Sequence, residues 1–245
     1  MTGAGQIALP ETDSTNAEGF RQAAGLDRPT WILAGLQTAG RGRRARPWVS
    51  PQGNFHGTLV LKPSEPPETV ALRSFAAALA LRDALVALTG LPASFTLKWP
   101  NDVLLKDGKL AGILLESVGL GGPNPVLCIG IGVNLIAAPD ATLVEPGATP
   151  PVSLLTETGL CLTPEAFLKA LAPAYAAWET TFQTQGFAPL RTAWLTHAAR
   201  LGEVIMARTG NLTRAGRFET IDASGNLILR TATETLAIAA AEVFF

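Results

Sequence analysis

Residues Gly40–Trp48 read GRGRRARPW, and the fold turns on the residues that come after the glycines. Gly40, Gly42 and Ala45 stand at the spacing of the dinucleotide fingerprint G-x-G-x-x-G/A, and the run WILAGLQ ahead of them reads as a strand. In that fingerprint a helix opens at the last small residue, so that its N-terminus can hold a pyrophosphate. Here Arg46-Pro47-Trp48 and then Pro51 come next, and proline denies the helix. The fingerprint fails at this step, and no G-x-x-x-x-G-K-[ST] stretch offers a P-loop instead. What remains is a glycine loop with four arginines in nine residues. Guanidinium forks bind carboxylate and phosphate oxygens in pairs, so the loop reads as one that folds over an anionic ligand; a solvated charge run is the bland alternative.

That local charge contrasts with a formal net charge of -1 and a pI near 6.1, which disfavour a general nucleic-acid binder. With 47% hydrophobic and 16% charged residues over 245 positions, the chain can bury a sizeable core. The N-terminal MTGAGQIALPETDSTN lacks the basic and apolar regions of a secretion signal, and the greasiest run, FAAALALRDALVALTGL, is interrupted by Arg82 and Asp83. A cytoplasmic protein without a membrane span is expected, with Cys128 and Cys161 reduced. His56 and His197 have no second ligand at metal spacing, so neither a zinc site nor a Ser/His/Asp triad is expected.

Outward from the loop, Ser14-Thr15-Asn16 before AEGFRQAA has the look of a capped helix start. GNFHGTLVLK is a second strand and 70–88 a long helix. Residues 95–99, 103–105 and 109–116 are three strands, the last two joined by Lys106-Asp107-Gly108, whose Asp-Gly pair suits a tight turn. Residues 126–135 form one more buried strand, 137–151 a Pro/Gly-rich loop, and Thr163-Pro164 starts a helix reaching toward Phe182, with a kink expected at Pro173. From about Leu201 short strands alternate with Gly/Asn turns, the texture of a small antiparallel barrel appended to an α+β unit. The expected division is 1–198 and 199–245.

Three further clusters carry chemistry. KWPND places Lys98, Asn101 and Asp102 around a strand-breaking proline, with Trp99 expected in the core. In KLAGILLE, period two sets Lys109, Ala111 and Ile113 on one face and Leu110, Gly112 and Glu116 on the other. Lys109 alone reads best as a lysine snorkelling to water, whereas mid-strand Gly112 marks a close approach. In CIGIGVN, Ile129, Ile131 and Val133 make a core face, and Cys128, Gly130, Gly132 and Asn134 a nearly bare one. That face is either a floor for a planar ligand or a surface packed by a helix, and spacing does not separate the two. With no nucleophile or metal cage, catalysis would rest on positioning and on neutralising negative charge, which suits phosphate-anhydride chemistry.

The ordered set STN, QTAGRGRRARPW, GNFHGTL, KWPND, KLAGILLE and IGIGVNL resembles the biotin–protein ligase family from about Thr12 to Leu135, and the C-terminal strands resemble that family's last domain more loosely. The resemblance implies an α+β, class II synthetase-like mixed sheet packed with helices, followed by a small SH3-like β-barrel. It implies biotin and ATP as substrates, Mg2+, and a biotin carboxyl carrier domain of acetyl-CoA carboxylase or a related carboxylase as acceptor, with a homodimer as one assembly. Ser14, Thr15, Asn16, Gln37, Arg41, Arg43, Trp48, Lys109 and Gly112 would then serve biotin. Arg41, Arg43, Arg44, Lys98, Trp99, Asn101, Asp102, Lys109 and Asn134 would serve ATP, with Lys109, Arg43 and Asp102 catalytic; metal ligands are left open. Two positions depart from the family: Ala45 replaces a common third glycine, and His56 a common tyrosine. No winged-helix segment precedes STN, so no DNA role is expected. A lipoate or octanoate ligase and a non-catalytic biotin sensor are the competing readings.

Overall fold

A computed structural model describes residues 3–140, 144, 147–210 and 212–245. Part of the loop expected over 137–151 lies outside the described residues. A seven-stranded mixed sheet is built from β1 (Gly5–Thr12), β2 (Thr30–Gln37), β3 (Phe55–Leu61), β4 (Phe95–Lys98), β5 (Asp102–Leu105), β6 (Gly108–Val118) and β7 (Val126–Val133). Their order across the sheet is β1-β2-β3-β7-β6-β5-β4, with β1 and β2 parallel and every other pair antiparallel.

One face carries the core. Ile129, Ile131 and Val133 of β7 are buried there, under α3 (Arg73–Thr89), α5 (Pro164–Gln185) and α6 (Phe187–Thr196). The long helix expected over 70–88 is broken at Leu72 into α2 (Pro67–Ala71) and α3. The short α4 (Leu154–Thr158) precedes α5, which is capped by Thr163, whose hydroxyl accepts from the Ala166 amide, and which continues through Pro173 to Gln185. Helix α3 is buried nearly all round, so its charge needs a partner: Arg73 is held by Glu179 of α5 at 2.8 Å, with Tyr175 donating to the same carboxylate.

The other face is covered by α1 (Thr15–Gln22), whose Gly19 lies against Cys128 and Val60. Ser14 precedes α1 as expected, but its hydroxyl caps nothing. Instead, the Thr15 amide donates to Gln37 Oε1 at 2.8 Å, so a residue from β2 satisfies the helix start.

The turn between β5 and β6 sits one residue earlier than Asp-Gly suggests. Leu105 pairs with Gly108, and Lys106 and Asp107 take the left-handed positions (φ 49° and 67°). Gly108 is required for another reason: a Cβ there would lie 2.3 Å from Val152.

The C-terminal strands are β8 (Val204–Thr209), β9 (Leu212–Ile221), β10 (Leu227–Arg230), β11 (Thr235–Ile238) and β12 (Glu242–Phe244). They form an antiparallel sheet of order β11-β10-β9-β8-β12. This is the expected small antiparallel unit; its two end strands, β11 and β12, with 4 and 3 residues, do not pair with each other among the described residues, so the strands do not form a closed barrel. Phe218, Ile221, Leu227 and Leu229 join the same apolar core as α3 and α6 through Trp194, whose ring lies 5.5 Å from Phe75 and 6.5 Å from Phe218. Among the described residues no helix is long and apolar enough to cross a membrane.

This packing can be tested at two points. Glu179→Ala leaves the buried Arg73 with only the part-exposed Glu65 as counter-ion and should lower the unfolding free energy by about 3 kcal/mol, the low end for a broken buried pair, read from urea denaturation, whereas Arg73→Met with Glu179→Leu should recover most of it. Both cysteines are free, but burial, with Glu116 nearby, pushes the Cys128 thiol up to about 12, whereas Cys161 is exposed. A thiol reagent at neutral pH should therefore label one site per native chain, Cys161, and a second only on unfolding.

Candidate functional site

The bare face of β7 is packed by two side chains, and its glycines also line a cavity. A Cβ on Gly130 would meet Asn16 Oδ1 at 2.4 Å, and one on Gly132 would meet the Trp48 indole at 2.5 Å. Helix α1 therefore rests on Gly130, and the end of the arginine loop on Gly132. Gly112 of β6 supports the same indole, 3.2 Å from its own would-be Cβ.

A polar network is laid over this floor. The Thr58 hydroxyl donates to Asn16 Oδ1 (2.6 Å) and lies 2.8 Å from the Thr15 hydroxyl. Asn16 Nδ2 donates to Glu116 Oε2 at 2.8 Å, and Gln37 Nε2 donates to Ser50 Oγ at 3.0 Å. Asn16 and Gln37 are thus held in one orientation, as a site for a small polar ring requires. His56 pairs with Gly132 across the strands, and burial pushes its imidazole below the ordinary value, so it is neutral at pH 7; it stands outside the cavity that Asn16 and Gln37 line.

Lys109 does not lie on the face that strict alternation assigns to it. Leu104 pairs with Lys109 and Val103 with Ala111, so Leu110 is an extra residue, a β-bulge. Leu110 and Ala111 both enter the core, and Lys109 turns to the side of Gly112 and Asp102. Its Nζ lies 2.8 Å from Asp102 Oδ1 and 5.6 Å from the centre of the Trp48 ring. Lys98, at the end of β4, donates to Thr149 and stands 4.7 Å from the Phe245 ring; burial outweighs the attraction of Asp102 and pushes its ammonium below the usual lysine value. Asn101 Nδ2 donates to the Ile113 carbonyl and Asn134 Nδ2 to that of Val152, which fixes both amides. Trp99 is buried as expected, and its only donor is committed to the Gly225 carbonyl at 3.1 Å.

The arginine loop closes on itself at the neck. Trp48 N donates to Gly40 O (2.9 Å) and Gly42 N to Arg46 O (2.8 Å), and Arg41 pairs with both oxygens of Glu116. At the tip Arg44 and Ala45 are both left-handed, with φ of 57° and 58°, which shows why glycine would suit position 45 better. Arg43 Nη1 donates to the Ala241 carbonyl at 3.2 Å, and Arg44 and Arg46 reach Glu242. Burial, then the neighbouring Arg44, works against the Arg43 charge and lowers its pKa, although a guanidinium stays protonated in any case. At Glu242 burial works to raise the carboxyl, but the bond from Arg208 and the fields of Arg46 and Arg44 outweigh it.

All of the residues given a binding or catalytic role in the sequence line one cavity of about 710 Å³: Ser14, Thr15, Asn16, Gln37, Arg41, Arg43, Arg44, Trp48, Lys98, Trp99, Asn101, Asp102, Lys109, Gly112 and Asn134. That volume is in the range of small-molecule sites, ~300–1,000 Å³. Sequence reasoning missed Thr58 and Glu116, which orient Asn16, and Thr149, Glu242 and Phe244, which line the mouth. Glu116 had a signal, a charge ending an apolar run; the C-terminal residues had none. Among the described residues no group of three or more His, Cys, Asp or Glu could hold a metal ion.

The profile of the Biotin/lipoate A/B protein ligase family matches residues 7–134, and that of the Biotin protein ligase C terminal domain matches 201–245. A biotin–[acetyl-CoA-carboxylase] ligase of Paracoccus denitrificans is 58% identical over 97% of this chain and 99% of its own length. The bifunctional ligase/repressor of Escherichia coli is 29% identical over 94% of this chain and 70% of its own. The fold also matches a biotin protein ligase from Aquifex aeolicus in complex with biotin and ATP, with a TM-score of 0.81, 24% identity, and coverage of 98% and 97% of the two chains. The chain belongs to the biotin protein ligase branch of the biotin/lipoate A/B protein ligase family.

Proposed function

We propose that the protein joins biotin to ATP, forming biotinyl-5′-AMP and pyrophosphate, and then passes the biotinyl group to one lysine of a biotin carboxyl carrier domain. The observation that carries this reading is the convergence of five separated sequence blocks on one cavity that holds polar clamps, Arg41 sharing Glu116 with Asn16 beside them, together with five further basic side chains: Arg43, Arg44, Arg46, Lys98 and Lys109. The oriented Asn16 and Gln37 suit the ureido ring, with Ser14 and Thr15 beside them, and Trp48 on its glycine floor covers the bicycle.

In the first half-reaction a biotin carboxylate oxygen attacks the α-phosphorus, and the bond to the bridging oxygen of pyrophosphate breaks. Negative charge grows on the phosphoryl oxygens. Lys109 and Arg43 are the cations placed to meet it, and no proton transfer is needed. MgATP enters as the substrate, its triphosphate facing Lys98, Arg44 and Arg46, with Asn101, Asn134 and the Trp99 ring on the nucleotide side. In the second half-reaction the carrier lysine must arrive as a free amine. Asp102, 2.8 Å from Lys109, is the carboxylate at hand to orient it and take its proton as the C–O bond to AMP breaks.

The same reading divides the chain into a catalytic unit over 1–198 and a C-terminal unit over 199–245. It takes acetyl-CoA carboxylase or a related carboxylase as the source of the carrier, the cytoplasm as the compartment, and a homodimer through the seven-stranded sheet as the assembly.

Pyrophosphate release tests the assignment, with biotin, lipoate and octanoate compared, each with and without an apo carrier domain. Biotin-dependent release and a mass shift on the carrier are expected; lipoate- or octanoate-dependent release would transfer the assignment to an acyl relative, and none with any acid would leave a sensor. Lys109→Ala should lower adenylate formation by at least about 100-fold while leaving the melting temperature unchanged within a few degrees, and near-normal turnover would refute its role. Arg43→Ala should speed loss of the bound adenylate by about tenfold, measured by chase with unlabelled biotin, and an unchanged rate would remove the loop from retention.

A further inference from the structure

One carboxylate reaches the arginine loop from the other sheet. Glu242 of β12 meets Arg44 at 3.1 Å and also pairs with Arg46, and on its own sheet it pairs with Arg208, its cross-strand neighbour on β8. The adjacent Ala241 carbonyl accepts from Arg43. Glu242 is the sheltered end of these pairs, its side chain 14% exposed, whereas those of Arg44 and Arg46 are 41% and 51% exposed at the cavity mouth. The backbone bonds within the loop close its neck, whereas the tip holds two consecutive non-glycine residues in the left-handed region, a shape with an energetic cost that something outside the tip must hold. The contacts supplied to that tip by Ala241 and Glu242 are of the required kind.

We propose that Glu242 is a positioning residue, through which the C-terminal sheet holds the tip of the arginine loop closed over the cavity and so sets how long the adenylate is retained. The inference rests on the ligase reading. Glu242 itself repels phosphate, so its effect on an anionic ligand passes through Arg44 and Arg46, which it holds at the cavity mouth. The five-stranded sheet thereby becomes part of the retention machinery rather than an appendage.

The test is the rate at which preformed, labelled biotinyl-adenylate leaves the full-length protein under a chase of unlabelled biotin. Glu242→Gln should raise that rate about tenfold and, without carrier, should quicken steady-state pyrophosphate release, because the adenylate escapes and the site turns over. A merely damaged protein would slow instead. Arg208→Gln breaks the pair inside the sheet and leaves the loop contacts, so its rate should stay within about twofold of wild type. The Glu242→Gln and Arg44→Gln effects should be strongly non-additive in a double-mutant cycle. A wild-type rate in Glu242→Gln, equal effects of Glu242→Gln and Arg208→Gln, or additivity with Arg44→Gln would each overturn the inference. Should Glu242→Gln melt below the assay temperature, Glu242→Asp replaces it with an expected rise of about threefold, and a wild-type rate in that variant refutes the proposal. A wild-type protein that forms no biotinyl-adenylate refutes the ligase reading, and this inference with it.

Discussion

Two glycines on one face of β7 fix how near anything else can come to the sheet. Side chains at Gly130 and Gly132 would occupy the places now taken by the Asn16 amide and the Trp48 indole. Because the face is bare, α1 settles low enough for its first turn to bond Gln37 of β2 and Thr58 of β3, and the arginine loop is pinned at its tryptophan. The opposite parity of the same strand, Ile129, Ile131 and Val133, is buried under α3 and α5. One strand thus anchors the core and clears the site, and the two tasks are separated only by the period of two.

That division was legible in CIGIGVN because β7 alternates without interruption. In KLAGILLE the same logic put Lys109 on the wrong face, since a bulge adds one residue and nothing in the local composition announces it. The reason lies in the partners. At Leu110 strand β6 leaves β7 and takes residues 150–152 as its neighbour, with Lys109 N bonded to Pro150 O and Val152 N to Lys109 O. Strand β1 was also missed: its GQIALPET is short of β-branched residues and contains a proline, and its register comes from parallel pairing with β2. Helix α6 hid behind α5, from which only Gly186 separates it. Residue types at the site could be read from local chemistry; their facing partners could not, because those lie far away in the chain.

Charge is balanced over the same long separations. A chain of net charge -1 keeps four arginines in one loop, and their counter-ions are drawn from β6 and β12, 75 residues away for Arg41–Glu116 and far beyond that for Glu242. The loop neck is balanced by Glu116, which also orients Asn16, and the tip by Glu242. Before an anionic ligand enters, therefore, Arg41, Arg44 and Arg46 are ion-paired, whereas Arg43 bonds the Ala241 carbonyl and is still opposed by the charge of Arg44. In the proposed function, ligand oxygens must improve on partners already present, which favours groups carrying more than one negative charge, such as a triphosphate.

The bulge carries the last step. Without it, Lys109 would point among Ala111 and Ile113, where an ammonium has no counter-ion and its burial is costly. With it, Lys109 pairs with Asp102 and lies against the Trp48 face, stationed at the cavity wall. In the proposed mechanism, phosphoryl oxygens draw Lys109 away and leave Asp102 without its cation, in the wall that an incoming lysine must reach. On that reading the group that holds the first cation in place becomes available to receive the second, and two chemical steps are served by one ion pair that the ligand itself divides.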